Sequence, residues 1–343
     1  MRTLFIVMGN GFTMDLMGHI KKNDVVNVGN LFAEGYNVMW PSDDEPGFLS
    51  YKRCPHLWNL GARPSMTATD ATLLIEDIIT CVNMFTEINR NKKRIDPNTY
   101  NRITDNIYIS AYQELSAYIK HLFIYYNNKI TDDNLSETSL KDWGWYKFLK
   151  KADSLYDKIY ILTYNYDVFL ERIMLKAGIA FNIAGIEEDL AKYTIIKPHG
   201  SISFSHKVRL DRASFKIKTD TILQQETIDK FAVNYANMDD HYLVDAIIPP
   251  AGDSGRFNLS WAKQLREYGL DKAAKLSFSD EAVVCGLSYW HVDRKELDEL
   301  LAAMNPNINI KLINPSPPRT LNAVLSCLFS NYIQYSTCRV LGE

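Results

Sequence analysis

Four short apolar runs, each ended by turn residues, constrain the fold of this chain most strongly, and a helical pattern follows each of the first three. They are Thr3–Met8, Lys158–Thr163, residues 282–285 and Asn309–Ile313. Short apolar runs between turn signals are typical of strands buried on both faces, and strands that alternate with helices indicate a parallel sheet. We therefore predict an α/β fold with a Rossmann-like, doubly wound parallel sheet. Ligands of such sheets bind beyond the carboxyl ends of the strands.

The stretch between the first two runs is unusually long. We expect one domain over residues 1–343, in which residues 21–150 form a mostly helical insertion after the first strand. Amphipathic patterns over residues 69–85 and 107–126 predict two long helices there. In the first of these helices, the side predicted to be buried comprises Leu73, Leu74, Ile78, Ile79, Val82 and Phe85.

A second insertion is expected later in the chain. Residues 185–250 show no sustained periodicity, and we expect them to be irregular, with a hairpin over residues 202–217. The third apolar run leads into a helix predicted over about residues 292–304.

Composition excludes several classes of function. Lys and Arg number 38 against 41 Asp and Glu, a net charge of −3, so direct binding of nucleic acid is not expected. The first apolar run is too short for a signal-peptide core or a membrane span. The five cysteines form no CxxC pair, so neither a zinc ribbon nor a disulfide framework is indicated. A cytoplasmic protein without a membrane segment or a bound metal fits these features best.

The loop after the first run, Gly9-Asn10-Gly11-Phe12-Thr13, is a candidate phosphate site. Glycines there allow the backbone to approach a pyrophosphate, and the following helix offers unpaired N–H groups and the positive end of its dipole. The third glycine of the dinucleotide fingerprint is missing. An ordinary strand-to-helix turn explains the same residues equally well.

The second run ends in Thr163-Tyr164-Asn165-Tyr166-Asp167. The amide of Asn165 can donate and accept hydrogen bonds at once, and Asp167 could orient a hydroxyl-bearing or cationic ligand. Both residue types also cap helices, and one of the two is expected to do so here. A single cap suffices, which leaves the other residue for a ligand.

Three further positions complete the candidate site. His199, held between Pro198 and Gly200, is of a type suited to proton transfer near neutrality, although it could equally be a turn residue. Gly286 and Ser288 follow the third run and suit a ribose or a phosphate. Asn314 follows the fourth run and suits an adenosine ribose. Ordinary turn chemistry is the alternative for each.

In this order the motifs resemble those of the sirtuin-like NAD-consuming family. That family carries a GAG-type loop after its first strand, a T-Q-N-[IV]-D motif, an H-G motif, a G-T-S motif and a late asparagine. Here Tyr164 replaces the glutamine, Asn10 replaces the alanine, and the cysteine pairs that bind zinc in deacylating sirtuins are absent. With the long insertion, these departures look like the divergent bacterial sirtuin-like proteins of antiphage defence, whose activity is NAD hydrolysis.

The resemblance implies that NAD is the substrate, that its nicotinamide–ribose bond is cleaved, and that no metal takes part. It implies that the catalytic residues are Asn165, Asp167 and His199. The implied NAD-binding residues are Gly9, Asn10, Gly11, Phe12, Thr13, Tyr164, Gly286, Ser288 and Asn314.

Proteins of this kind act in abortive infection. The resemblance suggests as partners a second copy of the chain or a defence protein such as a HerA-type ATPase or an Argonaute-like protein. The alternatives are an NAD-dependent protein deacylase, a non-catalytic sensor of NAD or ADP-ribose, and a scaffold protein that keeps only the sheet. The first would need an open peptide groove, and the second could dispense with His199.

Overall fold

The computed structural model describes residues 2–90, 107–217, 226–249, 259–289 and 294–343. The strands within these ranges are β1 (Thr3–Met8), β2 (Met39–Trp40), β3 (Glu45–Pro46), β4 (Lys158–Thr163), β5 (Phe181–Ile183), β6 (Tyr193–Ile196), β7 (Gly200–His206), β8 (Phe231–Val233), β9 (Asp245–Ile247), β10 (Glu281–Cys285), β11 (Asn309–Ile313) and β12 (Asn331–Tyr335).

Ten α-helices lie within the same ranges. They are α1 (Asn10–His19), α2 (Pro55–Asn59), α3 (Ala68–Arg90), α4 (Ile107–Lys129), α5 (Glu137–Leu140), α6 (Gly144–Leu155), α7 (Phe169–Lys176), α8 (Ser260–Ala274), α9 (Arg294–Ala303) and α10 (Arg319–Leu328). Short 3₁₀ helices span Arg212–Ser214, Ile228–Lys230 and Cys338–Leu341. None of these described helices is long and apolar enough to cross a membrane.

Seven strands form one parallel sheet, in the order β12-β11-β10-β1-β4-β6-β5. The predicted α/β, Rossmann-like fold is confirmed. The bounds of β1, β4 and β11 match the apolar runs, because most residues of each strand are buried and apolar. The run expected at 282–285 begins one residue earlier, at the buried Glu281.

The order in which the chain adds strands to the sheet reverses at β1. The chain leaves β1 for β4 on one side and returns much later to β10 on the other, so a topological switch point lies at the carboxyl end of β1. Met8 is in register with both Thr163 and Cys285. The loops that follow these three strands therefore emerge side by side.

The insertion between β1 and β4 contains α2 to α6 and the β2–β3 ribbon. Both long helices form and extend beyond the predicted ranges. The face of α3 that is buried is Ile75, Ile78, Ile79, Val82 and Phe85, whereas Leu73 is 53 % exposed. The inclusion of Leu73 was therefore wrong. Residues i, i+3, i+4 and i+7 counted from Ile75 share one face, and Leu73 lies about 200° away around the helix.

The stretch 185–250 is more regular than expected. It contains β6, which pairs with β4 and β5 in the main sheet, and β7, which is the middle strand of a three-stranded antiparallel sheet. The hairpin over residues 202–217 does not form, since β7 pairs with β8 and β9. All seven residues of β7 are buried, so both faces of this strand are covered by other parts of the protein.

Candidate functional site

A cavity of about 760 Å³ lies at the switch point, within the usual size range of small-molecule sites, roughly 300–1,000 Å³. Its wall includes nine of the sequence-predicted site residues: Gly9, Asn10, Gly11, Tyr164, Asn165, His199, Gly286, Ser288 and Asn314. The insertion adds an apolar wall made of Val28, Leu31, Ala71, Ile75 and Phe123. The remaining three predicted residues, Phe12, Thr13 and Asp167, lie behind the wall.

The glycines after β1 and β10 allow two loops to touch backbone to backbone. A Cβ on Gly11 would lie 2.3 Å from Gly286 Cα, and one on Gly9 would lie 2.7 Å from Gly286 O. Gly286 has a φ of +60°, which favours glycine. The Gly11 N–H donates to Gly286 O at 3.0 Å. The loop is thus held in place by protein contacts, and the exposed Asn10 begins α1 at the cavity wall.

Asn165 is held by a chain of hydrogen bonds beneath the cavity. Its Nδ2 donates to Gly9 O at 3.2 Å and to Thr13 Oγ1 at 3.1 Å, and the Thr13 hydroxyl donates to Asp167 Oδ2 at 2.8 Å. Because the single Thr13 proton goes to Asp167, its oxygen must accept from Asn165, and this fixes the orientation of the amide. Asn165 Oδ1 is buried and has no partner among the described residues. Asn165 lines the cavity, and this oxygen is its one side-chain polar atom without a hydrogen bond among the described residues.

Asp167 acts from behind the wall. Its Oδ1 accepts the Phe169 N–H at 3.1 Å at the start of α7. One of its two carboxylate oxygens therefore caps the helix, as the alternative interpretation expected. Burial raises the pKa of Asp167, opposed by the charge of Lys197 and by the Thr13 hydrogen bond. Fully buried Lys197 donates to Asp167 O at 2.6 Å and pairs with Glu171 at 2.7 Å. Asp167 therefore positions Thr13 and, through it, Asn165.

His199 is also buried and held from two sides. Its Nε2 lies 3.1 Å from Glu296 Oε2, and its ring centroid lies 4.8 Å from that of Tyr164. The backbone is fixed as well, because Gly200 has a φ of +86° and a Cβ there would lie 1.8 Å from Ala246 O. A carboxylate beside one ring nitrogen orients the imidazole and stabilises its protonated form. The arrangement suits a general base.

Glu296 was missed by the sequence analysis. It lies in the first turn of α9 and approaches His199 across 97 positions of the chain. A glutamate in the first turn of a helix is common because of the helix dipole. No signal in the sequence separates it from any other such glutamate, and only the packing of α9 reveals the pair.

The side of the cavity after β10 and β11 is more open. Ser288 is exposed, and Asn314 Oδ1 accepts the Ser316 N–H at 2.9 Å within its own turn. That bond is the turn chemistry considered as the alternative for Asn314. It engages the amide oxygen and leaves the Nδ2 group as the donor that Asn314 can offer.

Phe12 belongs to the core. Its ring packs 5.4 Å from that of Trp143 and 5.6 Å from that of Trp145, measured between centroids, and the residue is 1 % exposed. Phe12 follows Gly11 in α1 and supports the loop from behind.

The cavity wall carries little charge. Among its described residues there is no Lys or Arg, and Asp15 is the acidic one. The phosphates of a dinucleotide would therefore depend on backbone N–H groups and the α1 dipole. Within the described ranges no three or more His, Cys, Asp or Glu side chains form a group that could hold a metal ion.

A comparison with models of known protein families gives no match for this chain, and a search of curated proteins gives none either. The resemblance to sirtuin-like proteins thus depends on the sequence motifs alone.

Proposed function

We propose that this protein binds NAD in the switch-point cavity and hydrolyses the nicotinamide–ribose bond. The observation that carries the proposal is the meeting of Asn165 and His199 in one cavity with the Gly9–Gly11 and Gly286 loops. An amide acceptor, a histidine paired with a carboxylate, and a glycine loop at a helix N-terminus are the groups that such a reaction needs.

The reaction consumes one water and releases one proton. The C1′–N bond breaks with its electron pair going to nicotinamide, and water adds to C1′ to give ADP-ribose. The water loses a proton. We assign His199 as the base that accepts this proton and then passes it to solvent. The transition state resembles an oxocarbenium ion, so it depends on positioning and electrostatic support more than on a strong nucleophile.

The hydrogen-bond chain beneath the cavity supports this assignment. Asn165 Oδ1 is oriented before a ligand arrives, through Thr13 and Asp167, and can accept from a ribose hydroxyl or from the attacking water. Preorganised polar groups of this kind need little reorganisation during the reaction. Glu296 would stabilise the imidazolium that forms when His199 takes the proton.

A role as an effector of antiphage defence, with a second copy, a HerA-type ATPase or an Argonaute-like protein as partner, is proposed on the motif resemblance alone. Identification of proteins that co-purify with the tagged chain, with and without phage infection, tests this part separately.

The activity is tested by incubating purified protein with NAD and separating nicotinamide from ADP-ribose by chromatography. We expect both products, and we expect His199→Ala to lower turnover by about 100-fold or more, since general-base catalysis contributes roughly 10²–10⁴-fold. His56→Ala is the matched control, because His56 forms another histidine–glutamate pair, 2.6 Å from Glu114, away from the cavity wall. Near-normal turnover by folded His199→Ala would refute the assigned base.

The assay is repeated with each candidate partner present, so that an enzyme that needs activation is still detected. Glu296→Gln then separates the orientation of the His199 ring from the transfer of a proton to it. We expect it to weaken turnover less than His199→Ala does, and to add little further loss in the double variant, because the pair acts as a unit.

A further inference from the structure

Asp15 is a carboxylate on the cavity wall that the proposed reaction does not use. It lies on α1, one turn beyond Gly11. Its Oδ2 accepts from Trp143 Nε1 at 2.8 Å and from Cys338 Sγ at 3.1 Å. Trp143 belongs to the insertion and Cys338 to the C-terminal 3₁₀ helix, so two segments distant from α1 in the chain hold this carboxylate in one orientation.

The second oxygen of Asp15 is available for a ligand. Both protein donors bind Oδ2, no hydrogen bond to Oδ1 is found among the described residues, and the residue is exposed. A carboxylate only accepts hydrogen bonds. Its natural ligand is a group that donates, and the vicinal hydroxyls of a ribose provide two donors.

The position of Asp15 identifies which ribose this would be. Asp15 and Cys285, the last residue of β10, line the same cavity. Cys338, the partner of Asp15, follows β12. Asn165 and His199 come from the opposite side of β1. With the reacting ribose beside Asn165 and the pyrophosphate beside Gly11, Asp15 lies on the adenosine side.

Charge makes this position selective. The described residues of the cavity wall include no Lys or Arg to neutralise a phosphomonoester. A 2′-phosphate on the adenosine ribose would meet the Asp15 carboxylate directly and lose the hydroxyl donor as well. Juxtaposed like charges are unfavourable and lower the affinity for the wrong ligand.

We propose that Asp15 binds the adenosine ribose diol and makes the site selective for NAD over NADP. The inference depends on the proposed function in one respect, that the cavity takes an NAD-type dinucleotide. Asp15 would then determine specificity, although it belongs neither to the strand-end motifs nor to the residues assigned to the reaction.

The test compares wild type with Asp15→Asn. Binding of ADP-ribose and of its 2′-phosphorylated form is measured by calorimetry, and cleavage of NAD and NADP is measured by chromatography. We expect wild type to prefer the unphosphorylated ligand by about 100-fold and Asp15→Asn to reduce this preference by about tenfold or more, as for loss of a hydrogen bond to a charged group. Asparagine keeps an oxygen for Trp143 and Cys338, so the melting temperature should change little.

Asp142→Asn is the matched control. Asp142 adjoins Trp143 in the chain, is 77 % exposed at its side chain and does not line the cavity. Its removal should leave the preference unchanged. An equal shift in this variant would assign the effect to general charge and overturn the role of Asp15.

The outcomes separate this inference from the hydrolase. Selective, Asp15-dependent binding without cleavage would support the inference and count against hydrolysis. Cleavage of NAD and NADP at equal rates, or a preference that Asp15→Asn leaves intact, would overturn the inference and leave the hydrolase standing. Failure to bind either form of ADP-ribose would overturn both.

Discussion

The two sides of the cavity are built differently. After β4, the polar groups are buried and bonded to other elements, as in the chain from Asn165 through Thr13 to Asp167. After β10 and β11, Ser288 and Asn314 are exposed or half-buried, and Asn314 bonds within its own turn. Buried networks fix geometry, whereas turn residues adapt to a ligand. We infer that the first side serves the reacting bond and the second side serves affinity.

The largest effect is expected on stability, at the buried ion pair of Lys197 and Glu171 beneath the side of the cavity after β4. Lys197→Met would remove the only described partner of Glu171 Oε1 and leave a carboxylate in a fully buried position. We expect a loss of about 3–5 kcal/mol in the free energy of unfolding, measured by urea denaturation. Lys176→Ala breaks an exposed pair with Asp132, 2.9 Å apart, and should cost less than about 1 kcal/mol.

A double variant checks the cause. Lys197→Met with Glu171→Leu removes both charges, so most of the lost stability should return. If the double variant is as unstable as the single one, packing around Lys197 rather than the unpaired charge is responsible. The first side would then owe its rigidity to its apolar contacts.

The next effect concerns turnover. Asn165→Ala removes the oriented amide and should lower the rate of NAD cleavage by about 100–1,000-fold, the range for loss of one preorganised polar group. The Kd for ADP-ribose should change by less than about tenfold. Thr13→Val keeps the shape of the Thr13 side chain but removes its hydroxyl, and should reproduce part of the loss by releasing the amide. A large loss of affinity with a normal rate in Asn165→Ala would contradict the division between the two sides.

The sequence predicted the centre of the sheet well and its periphery poorly. The central strands β1 and β4 need apolar residues on both faces, so their bounds could be read directly. The edge strand β12 has no fully buried residue, and β6 is only four residues long. Neither gives a sustained pattern, and their pairing depends on the rest of the fold.

The candidate site divides in the same way. Asn165 and His199 could be placed near the cavity because each follows a strand or a constrained turn. Glu296, the partner that orients His199, could not be placed there, because it reaches the site only through the packing of a whole helix. The same holds for Asp15, whose place on the cavity wall depends on contacts with Trp143 and Cys338. Thr13 was predicted to hold phosphate, but its hydroxyl faces Asp167 inside the protein. A local sequence pattern shows that a polar residue follows a strand, but it does not show whether the side chain points into the cavity or into the protein.

The smallest effect is expected on the second side, at Asn314. Its Oδ1 is engaged by the Ser316 N–H, so the Nδ2 group is what it can offer to the adenosine half of NAD. Asn314→Ala removes one neutral hydrogen bond, worth about 0.5–1.5 kcal/mol, and should weaken NAD binding by roughly two- to tenfold with an unchanged kcat. Calorimetry and initial rates measure the two quantities separately. Asn331→Ala is the control, because Asn331 also makes a surface hydrogen bond, to Asn307 O at 3.2 Å, but does not line the cavity. A fall in kcat for Asn314→Ala comparable with that of Asn165→Ala would show that both sides hold the reacting groups, and the contrast between them would fail.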